Sequence, residues 1–459
     1  MAHPGRKNLS PELLTGNLRK TVFFLALPVL GEQVLNFLVG FYDVYLAGHL
    51  AADIRTDATA AVGVAAYVGW LASMLFAVVG NGTTALISRA WGAGDHAQAN
   101  RVANRSVLLS IVSGLVFMSL IVPFAPWLVR FMGLQGNAAE IAVRYLRVDA
   151  FGLIFASVSL VLAAAFRGSG DMKTPMLVFG SISILNVIVS TAFVNGTPFN
   201  PALGVDGIVY GTLVARVCGG LFILFLFARG RNGLSLRIEQ LRLRGETVRR
   251  ILAIGIPSAV EGFVMWVGHA LFLRVISEIG PTTFAAHIIG VRVEAITYLP
   301  AVAYGAAAAT MVGQSLGADN RKRALKAGYE AALQCSILGV FITLWFTLGA
   351  EWIYTMMHED LAVREIGIPA FRIVGLFQIP LILAIVFFAA TRGAGETKFP
   401  LYVALITTYL VRVPLGYYFG VHLKMGLMGA WVGMNADMFV RGVIATWRYS
   451  SRRWLSTQV

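Results

Sequence analysis

The segment TVFFLALPVLGEQVLNFLVGFYDVYLAG, residues 21–48, decides the class of the fold. It exceeds the roughly 20 apolar residues that a helix needs to cross a bilayer. It also carries Asp43, and no basic residue lies in the same run. A carboxylate at membrane depth is costly and usually functional. On a helix Asn36 and Glu32 lie within about 40° of the Asp43 face, which predicts a polar stripe along a water-filled cavity. The alternative is a carboxylate that only bonds a neighbouring helix.

The composition extends this interpretation to the whole chain. Of 459 residues, 57% are hydrophobic and 13% are charged, whereas soluble domains carry about 25% charged residues. The apolar residues fall into runs of spanning length, so we predict an all-α integral membrane protein with twelve transmembrane helices. The predicted spans are 21–48, 58–88, 106–128, 140–166, 175–196, 205–228, 248–276, 283–313, 328–350, 366–391, 399–420 and 426–447.

The net charge of +14 is explained by orientation. Basic residues concentrate before span 1, after each even-numbered span and at the C-terminus, most densely in 229–250. By the positive-inside rule both termini are expected in the cytosol. The charge therefore predicts contact with anionic membrane lipids, and no nucleic-acid partner is expected.

Neither an enzyme nor a cofactor site is indicated by the sequence. The two cysteines, Cys218 and Cys335, lie inside predicted spans, which argues against a disulfide framework or a zinc site. No HExxH motif and no Cys/His pairing falls within the spans, and these are the patterns that metal and nucleophile chemistry needs. We therefore expect no enzyme and no cofactor.

The two halves of the chain resemble each other. RGSGDMKTP at 167–175 returns as RGAGETKFP at 392–400, and Pro28 followed by Glu32 returns as Pro257 followed by Glu261. Each repeat holds six spans, so both run in the same direction, which predicts two six-helix lobes related by a pseudo-two-fold axis along the membrane normal. The predicted domains are a cytosolic segment 1–20, an N-lobe 21–229, a cytosolic linker 230–247, a C-lobe 248–447 and a cytosolic tail 448–459.

Polar side chains from three spans of the N-lobe are expected to meet at one depth. At 1.5 Å per residue, Asp43 in span 1, Asn186 and Ser190 in span 5 and Thr212 in span 6 all fall in the outer half of the membrane. Carboxylate, amide and hydroxyl oxygens suit a hard cation, and a lone carboxylate in a dry pocket suits a proton. These residues, with Asn36 on the Asp43 stripe, are the predicted cation-coupling site. The alternative to a proton is a metal ion, Na⁺, bound by Asp43, Asn186 and Thr212.

The second group of candidates has two possible assignments, the substrate cleft and helix packing. His287, Glu294 and Tyr298 share one face of span 8, and Glu32 and Glu261 occupy equivalent positions of the two repeats. For His287 a hydrogen bond to another helix is the favoured alternative, and for the two glutamates a lock between helices is equally favoured. Four intramembrane arginines are expected to snorkel or to neutralise carboxylates: Arg216, Arg274, Arg292 and Arg412.

With these features the chain resembles the multidrug and toxic compound extrusion (MATE) transporters, and within them the DinF-like prokaryotic branch. The resemblance covers essentially the whole chain. It rests on the twelve spans in two halves, on FYDVYLAG at 41–48, on the paired turns at 167–175 and 392–400, and on the Gly-Ala turns after spans 2 and 8. It implies a prokaryotic inner-membrane antiporter that exports amphipathic or cationic organic compounds in exchange for inward H⁺ or Na⁺.

The resemblance also assigns the coupling residues. Asp43, Asn186 and Thr212 match the family's residues of the first, fifth and sixth helices, while Ser190 stands where one branch has an aspartate. Asp43 would then be the only carboxylate of the cluster, which favours H⁺ over Na⁺. A monomer is expected. The alternatives are a lipid-linked oligosaccharide flippase of the same superfamily, whose cleft would be strongly cationic, and, with less support, a membrane-embedded enzyme.

Overall fold

A computed structural model describes residues 15–197 and 201–457 of the chain, and this part is almost wholly helical. Its first six long helices are α1 Leu18–Gly48, α2 Arg55–Gly92, α3 His96–Phe131, α4 Gly136–Gly168, α5 Lys173–Asn195 and α6 Val205–Ala228. The remaining long helices are α7 Glu246–Ile279, α8 Pro281–Gly317, α9 Arg321–Met357, α10 Leu361–Leu376, α11 Gln378–Gly393, α12 Lys398–His422 and α13 Gly426–Ser450.

The helices account for the twelve predicted spans with one modification. In the described part, ten helices are long and apolar enough to cross a membrane, and α10 with α11 forms one further span that bends by 49°. The predicted span 366–391 is therefore broken at Phe377. Pro380 explains the break, because a proline lacks the N–H and its ring clashes with the carbonyl four residues earlier. The last span, α13, carries Asp437 and Arg441 in its middle.

The chain divides into two compact units, Gly31–Gly255 and a second unit made of Ile256–Val459 with the chain up to Leu30. In each unit the fourth helix of the repeat is central: α4 packs against α2, α3 and α6, and the α10–α11 pair packs against α8, α9 and α13. The same packing pattern thus occurs twice, as the sequence repeat predicts. Large apolar side chains such as Leu348, which is 77% exposed, cover the outside of the helices, where a bilayer is their solvent.

The segment predicted as a linker is attached to the first unit by two asparagines one helical turn apart on α3. Asn100 donates to the carbonyl of Gly233 at 3.0 Å and accepts from the Ser235 N–H at 2.8 Å. Asn104 donates to the Ser235 carbonyl at 2.9 Å and accepts from the Arg237 N–H at 2.7 Å. Both side chains therefore bond the linker backbone as a neighbouring β-strand would. They provide hydrogen-bond partners for backbone groups that have none within the linker.

Substitution of Asn104 tests this attachment. Asn104→Ala removes hydrogen bonds from a fully buried side chain. We expect the purified protein to lose about 1–3 kcal/mol of stability, because two bonds to the linker backbone are lost and each contributes about 0.5–1.5 kcal/mol. Trypsin should also cleave faster after Arg231 or Arg237. Arg101→Ala, at an exposed position of the same helix, is the control. Equal melting temperatures and equal cleavage rates for both variants would contradict the attachment.

Candidate functional site

Three of the predicted coupling residues meet where α5 and α6 cross. The Asn186 amide donates to the Thr212 hydroxyl at 2.9 Å, and that hydroxyl donates to the Ile208 carbonyl at 3.0 Å. Ser190 is fully buried and donates to the same carbonyl at 3.4 Å. A Cβ atom on Gly211 would lie 2.1 Å from the Ser190 hydroxyl. The serine is therefore a helix-packing residue, and the close contact leaves no room there for a larger side chain.

Asp43 approaches this cluster from α1. Tyr145 of α4 is buried near both Asp43 and Thr212. One carboxylate oxygen of Asp43 and the amide oxygen of Asn186 are buried, and neither accepts a hydrogen bond from the described residues. Two unsatisfied oxygens in one polar cluster match what a bound cation or a proton would need.

A second carboxylate stands beside Asp43 and was missed by the sequence analysis. Asp149 of α4 and Arg216 of α6 form an ion pair of 2.6 Å, and both charges act on Asp43. The prediction that Asp43 is the only carboxylate of the cluster is therefore wrong. The signal was present in the sequence, because two opposite charges in the middle of two apolar spans are expected to pair. The prediction that Arg216 neutralises a carboxylate is confirmed.

Asn36 belongs to the α1 stripe without joining this cluster. It is seven residues before Asp43, which is about 10 Å along the helix axis, and its side chain is exposed.

The repeat-related glutamates Glu32 and Glu261 are both engaged in ion pairs with repeat-related arginines. Arg167 donates to both oxygens of Glu32 at 3.0 and 3.1 Å, and Arg392 donates to Glu261 at 2.6 Å. Each pair connects the middle of one helix, α1 or α7, to the end of the fourth span of its own unit. This geometry supports the helix-lock alternative over the substrate-cleft assignment for the two residues.

The α8 candidates lie in the interior of the second unit. His287 is fully buried and accepts a hydrogen bond from the Trp431 indole N–H at 3.0 Å, which is the helix-to-helix bond given as its alternative role. Glu294 is also buried, close to Gln378 and Arg412, and one of its oxygens accepts no hydrogen bond within the described ranges. Tyr298 is 39% exposed on the same helix face.

A buried charge network of the second unit was predicted only in part: Arg412 was expected to snorkel or to neutralise a carboxylate, but Asp437 was not among the candidates. Asp437 of α13 is 0% exposed and accepts from Arg412 at 2.7 Å and from Arg441 at 2.6 Å. Arg441 also donates to Thr407 and Thr408, where α12 adopts a π-helical turn. The π turn places both threonines and Arg412 toward α13. One aspartate thus pairs with two arginines, and this network connects α12 to α13.

Comparison with known proteins decides the family. One family model, MatE, matches residues 28–191 and again residues 257–418. The chain belongs to the MatE family. The double match covers both repeats separately, so each half carries the MatE pattern.

Relatives of this MatE chain extend over almost its full length. The probable multidrug resistance protein NorM of Thermotoga maritima is 29% identical over 449 residues, which is 98% of this chain and 96% of the relative. The uncharacterized transporter YisQ of Bacillus subtilis is 26% identical over 95% of both chains.

Solved structures confirm the MatE fold and the twelve-helix, all-α prediction. A MATE crystal structure in the bent conformation has a TM-score of 0.89 at 24% identity, with 98% of this chain and 100% of that chain covered. A MOP superfamily transporter from Pyrococcus furiosus has a TM-score of 0.89 at 22% identity, with 99% and 100% covered.

The Asp437 network predicts a large effect of one substitution in the MatE fold. Asp437→Asn leaves two buried arginines without their counter-charge, and we expect a loss of about 3–5 kcal/mol, because an unpaired buried charge is strongly destabilising. The melting temperature of the purified protein in detergent measures it. Glu278→Gln, which breaks an exposed i,i+4 pair with Arg274, should change stability by less than about 1 kcal/mol. Similar shifts for both variants would contradict the structural role of the network.

Proposed function

We propose that this MatE protein is a secondary antiporter that exports amphipathic or cationic organic compounds in exchange for inward H⁺ or Na⁺. Relatives that match almost the whole chain carry the name probable multidrug resistance protein NorM, and the family model matches both halves. The positive-inside distribution of charge supports a prokaryotic cytoplasmic membrane with both termini in the cytosol.

The observation that carries the proposal is the difference between two neighbouring carboxylates. Asp149 is neutralised by Arg216 at 2.6 Å, whereas Asp43 has a buried oxygen that accepts no hydrogen bond in the part of the chain described. A buried anion without its own partner is costly. Asp43 therefore gains most from binding a positive ion, and Asp149 gains little.

The transport cycle follows from this imbalance. With Asp43 ionised, the cytosol-facing state takes up the organic compound. After the transporter opens to the other side, a cation reaches Asp43 and removes the cost of its buried charge. That neutralisation stabilises a different packing of α1 against α5 and α6, and the compound leaves. A potential of 100 mV supplies about 2.3 kcal/mol per charge, which corresponds to roughly 40-fold accumulation.

H⁺ is favoured over Na⁺ as the coupling ion because few free oxygens surround Asp43. The Thr212 hydroxyl is engaged with Asn186 and Ile208, and Ser190 is engaged in the α5–α6 contact. A Na⁺ ion would depend on Asp43 and the free amide oxygen of Asn186, which is a small ligand set for a hard cation. A single carboxylate is sufficient for a proton.

The flippase alternative requires free cationic side chains to bind a pyrophosphate group. Arg216 is paired with Asp149, Arg167 with Glu32, and Arg392 with Glu261. These pairs reduce the positive charge available to a lipid-linked anion, so the antiporter is the better-supported function.

The test uses Asp43→Asn in proteoliposomes, with pH and Na⁺ gradients imposed separately and dye export as the measurement. We expect wild-type export to follow one of the two gradients. The variant should lose gradient-driven export by at least about tenfold, because an amide cannot take up the coupling cation as the carboxylate does; tenfold corresponds to about 1.4 kcal/mol. Dye binding by the variant should persist, which shows that the protein is folded. Asp53→Asn, at an exposed loop position, is the control. Export by Asp43→Asn at the wild-type rate and with the wild-type gradient dependence would refute the coupling role.

A further inference from the structure

Three arginines line one cavity at the end of the first unit where α3 runs into α4. The cavity has a volume of about 470 Å³, and its charged lining consists of Arg130 of α3 and Glu140, Arg144 and Arg147 of α4. We call it the arginine cavity. It lies at the end of α3 opposite to the α2–α3 turn, which is the membrane side that the positive-inside rule leaves poor in basic residues. Orientation alone therefore does not explain this cluster.

Two of the arginines are held in place through their Nε atoms. Arg147 donates from Nε to the Val122 carbonyl at 3.3 Å, and Pro126 leaves that carbonyl without its helical donor. Arg144 donates from Nε to Asp206 at 2.8 Å. Both bonds leave the terminal nitrogens of the guanidinium groups for another acceptor, and paired guanidinium groups suit the oxygens of a phosphate.

The arginine cavity also carries surplus positive charge. Within the described ranges, neither Arg130 nor Arg147 lies within 4.0 Å of a carboxylate, whereas Arg144 is paired with Asp206. Glu140 is the one acidic residue in the lining. The surplus is one positive charge, so an anion of single charge would complete the balance.

The surroundings place the cavity at the level of lipid headgroups. Trp127 is 63% exposed and stacks on Phe131, which is 71% exposed, with ring centroids 5.3 Å apart; Phe124 is 56% exposed. Exposed aromatic residues at a helix end mark the membrane–water interface. The rest of the cavity lining is apolar, with Pro126, Ala139, Val143 and Val148, and these side chains suit the glycerol and upper acyl carbons of a lipid better than a free phosphate ion.

We infer that the arginine cavity binds the phosphate of an anionic phospholipid, with Arg130 and Arg147 as the principal ligands and the apolar lining against the glycerol region. The site is separate from Asp43 and does not depend on the proposed transport function. Its lipid belongs to the leaflet opposite to the α2–α3 turn.

Native mass spectrometry of the detergent-purified protein with added lipid tests the inference. Phosphatidylglycerol should remain bound to wild type, and phosphatidylcholine should bind more weakly. The double variant Arg130→Gln/Arg147→Gln should retain phosphatidylglycerol roughly thirtyfold less, since each of the two basic residues contributes about 1 kcal/mol near a lipid surface and each 1.4 kcal/mol is tenfold. Glu140→Gln should retain more phosphatidylglycerol than wild type because it removes the only acidic group of the lining.

Controls separate this site from general effects of charge and folding. Arg55→Gln, an exposed arginine at the start of α2, should retain lipid as wild type does, and Arg130→Lys/Arg147→Lys should recover part of the binding. Equal phosphatidylglycerol retention by the double variant and Arg55→Gln would overturn the inference. Displacement of the lipid by equimolar glycerol phosphate would also overturn it, since the cavity would then select a soluble phosphate.

Discussion

The fold depends on one constraint: a charge buried among membrane-spanning helices needs an opposite charge within hydrogen-bonding distance. Asp149 with Arg216, Asp437 with Arg412 and Arg441, Glu32 with Arg167, and Glu261 with Arg392 all obey it at 2.6–3.1 Å. Each pair connects different helices of one unit, except Asp437 with Arg441, which both lie on α13. Breaking such a pair leaves a buried charge without a partner, which costs stability. The pairs therefore favour the one helix packing that forms them over other packings that bury a similar apolar area.

Asp43 departs from this constraint, and the departure gives the first unit its function in our account. Its neighbours Asp149 and Arg216 already balance each other, so the cluster as a whole carries one negative charge that a proton or a Na⁺ ion can neutralise. The second unit is different: the negative charges of Asp437 and Glu294 equal the positive charges of Arg412 and Arg441, so this group has no net charge. The two repeats thus share helix packing, while only the polar group around Asp43 carries a net negative charge.

The sequence predicts best the features that depend on patterns of many residues. Apolar runs of spanning length locate the helices, and the recurrence of Arg-Gly-x-Gly-acid-x-Lys-x-Pro locates the repeat, because both depend on many residues at once. The similar depth of Asn186 and Thr212 also follows from the sequence, since helical rise fixes how far each residue lies from the membrane surface. The break at Phe377 and the π turn at Thr408–Arg412 were not predicted, because apolar content does not distinguish a straight span from a bent one.

The partner of each charged residue could not be predicted in this way. Glu32 and Asp43 share one stripe of α1, yet Glu32 pairs with Arg167 and Asp43 lies beside an ion pair from two other helices. Periodicity gives the face of a helix and leaves open which neighbour that face meets. Ser190 shows the same limit: its residue type suggested a ligand, and its contact with Gly211 makes it a packing residue.

Infrared difference spectroscopy of the reconstituted protein tests the central claim most directly, because it observes the carboxyl group itself. On changing pH or adding Na⁺, the account predicts one carboxyl band that changes between its charged and neutral or ion-bound forms, and the absence of that band in Asp43→Asn. Identical difference spectra for wild type and Asp43→Asn under both conditions would contradict the claim that Asp43 takes up the coupling cation.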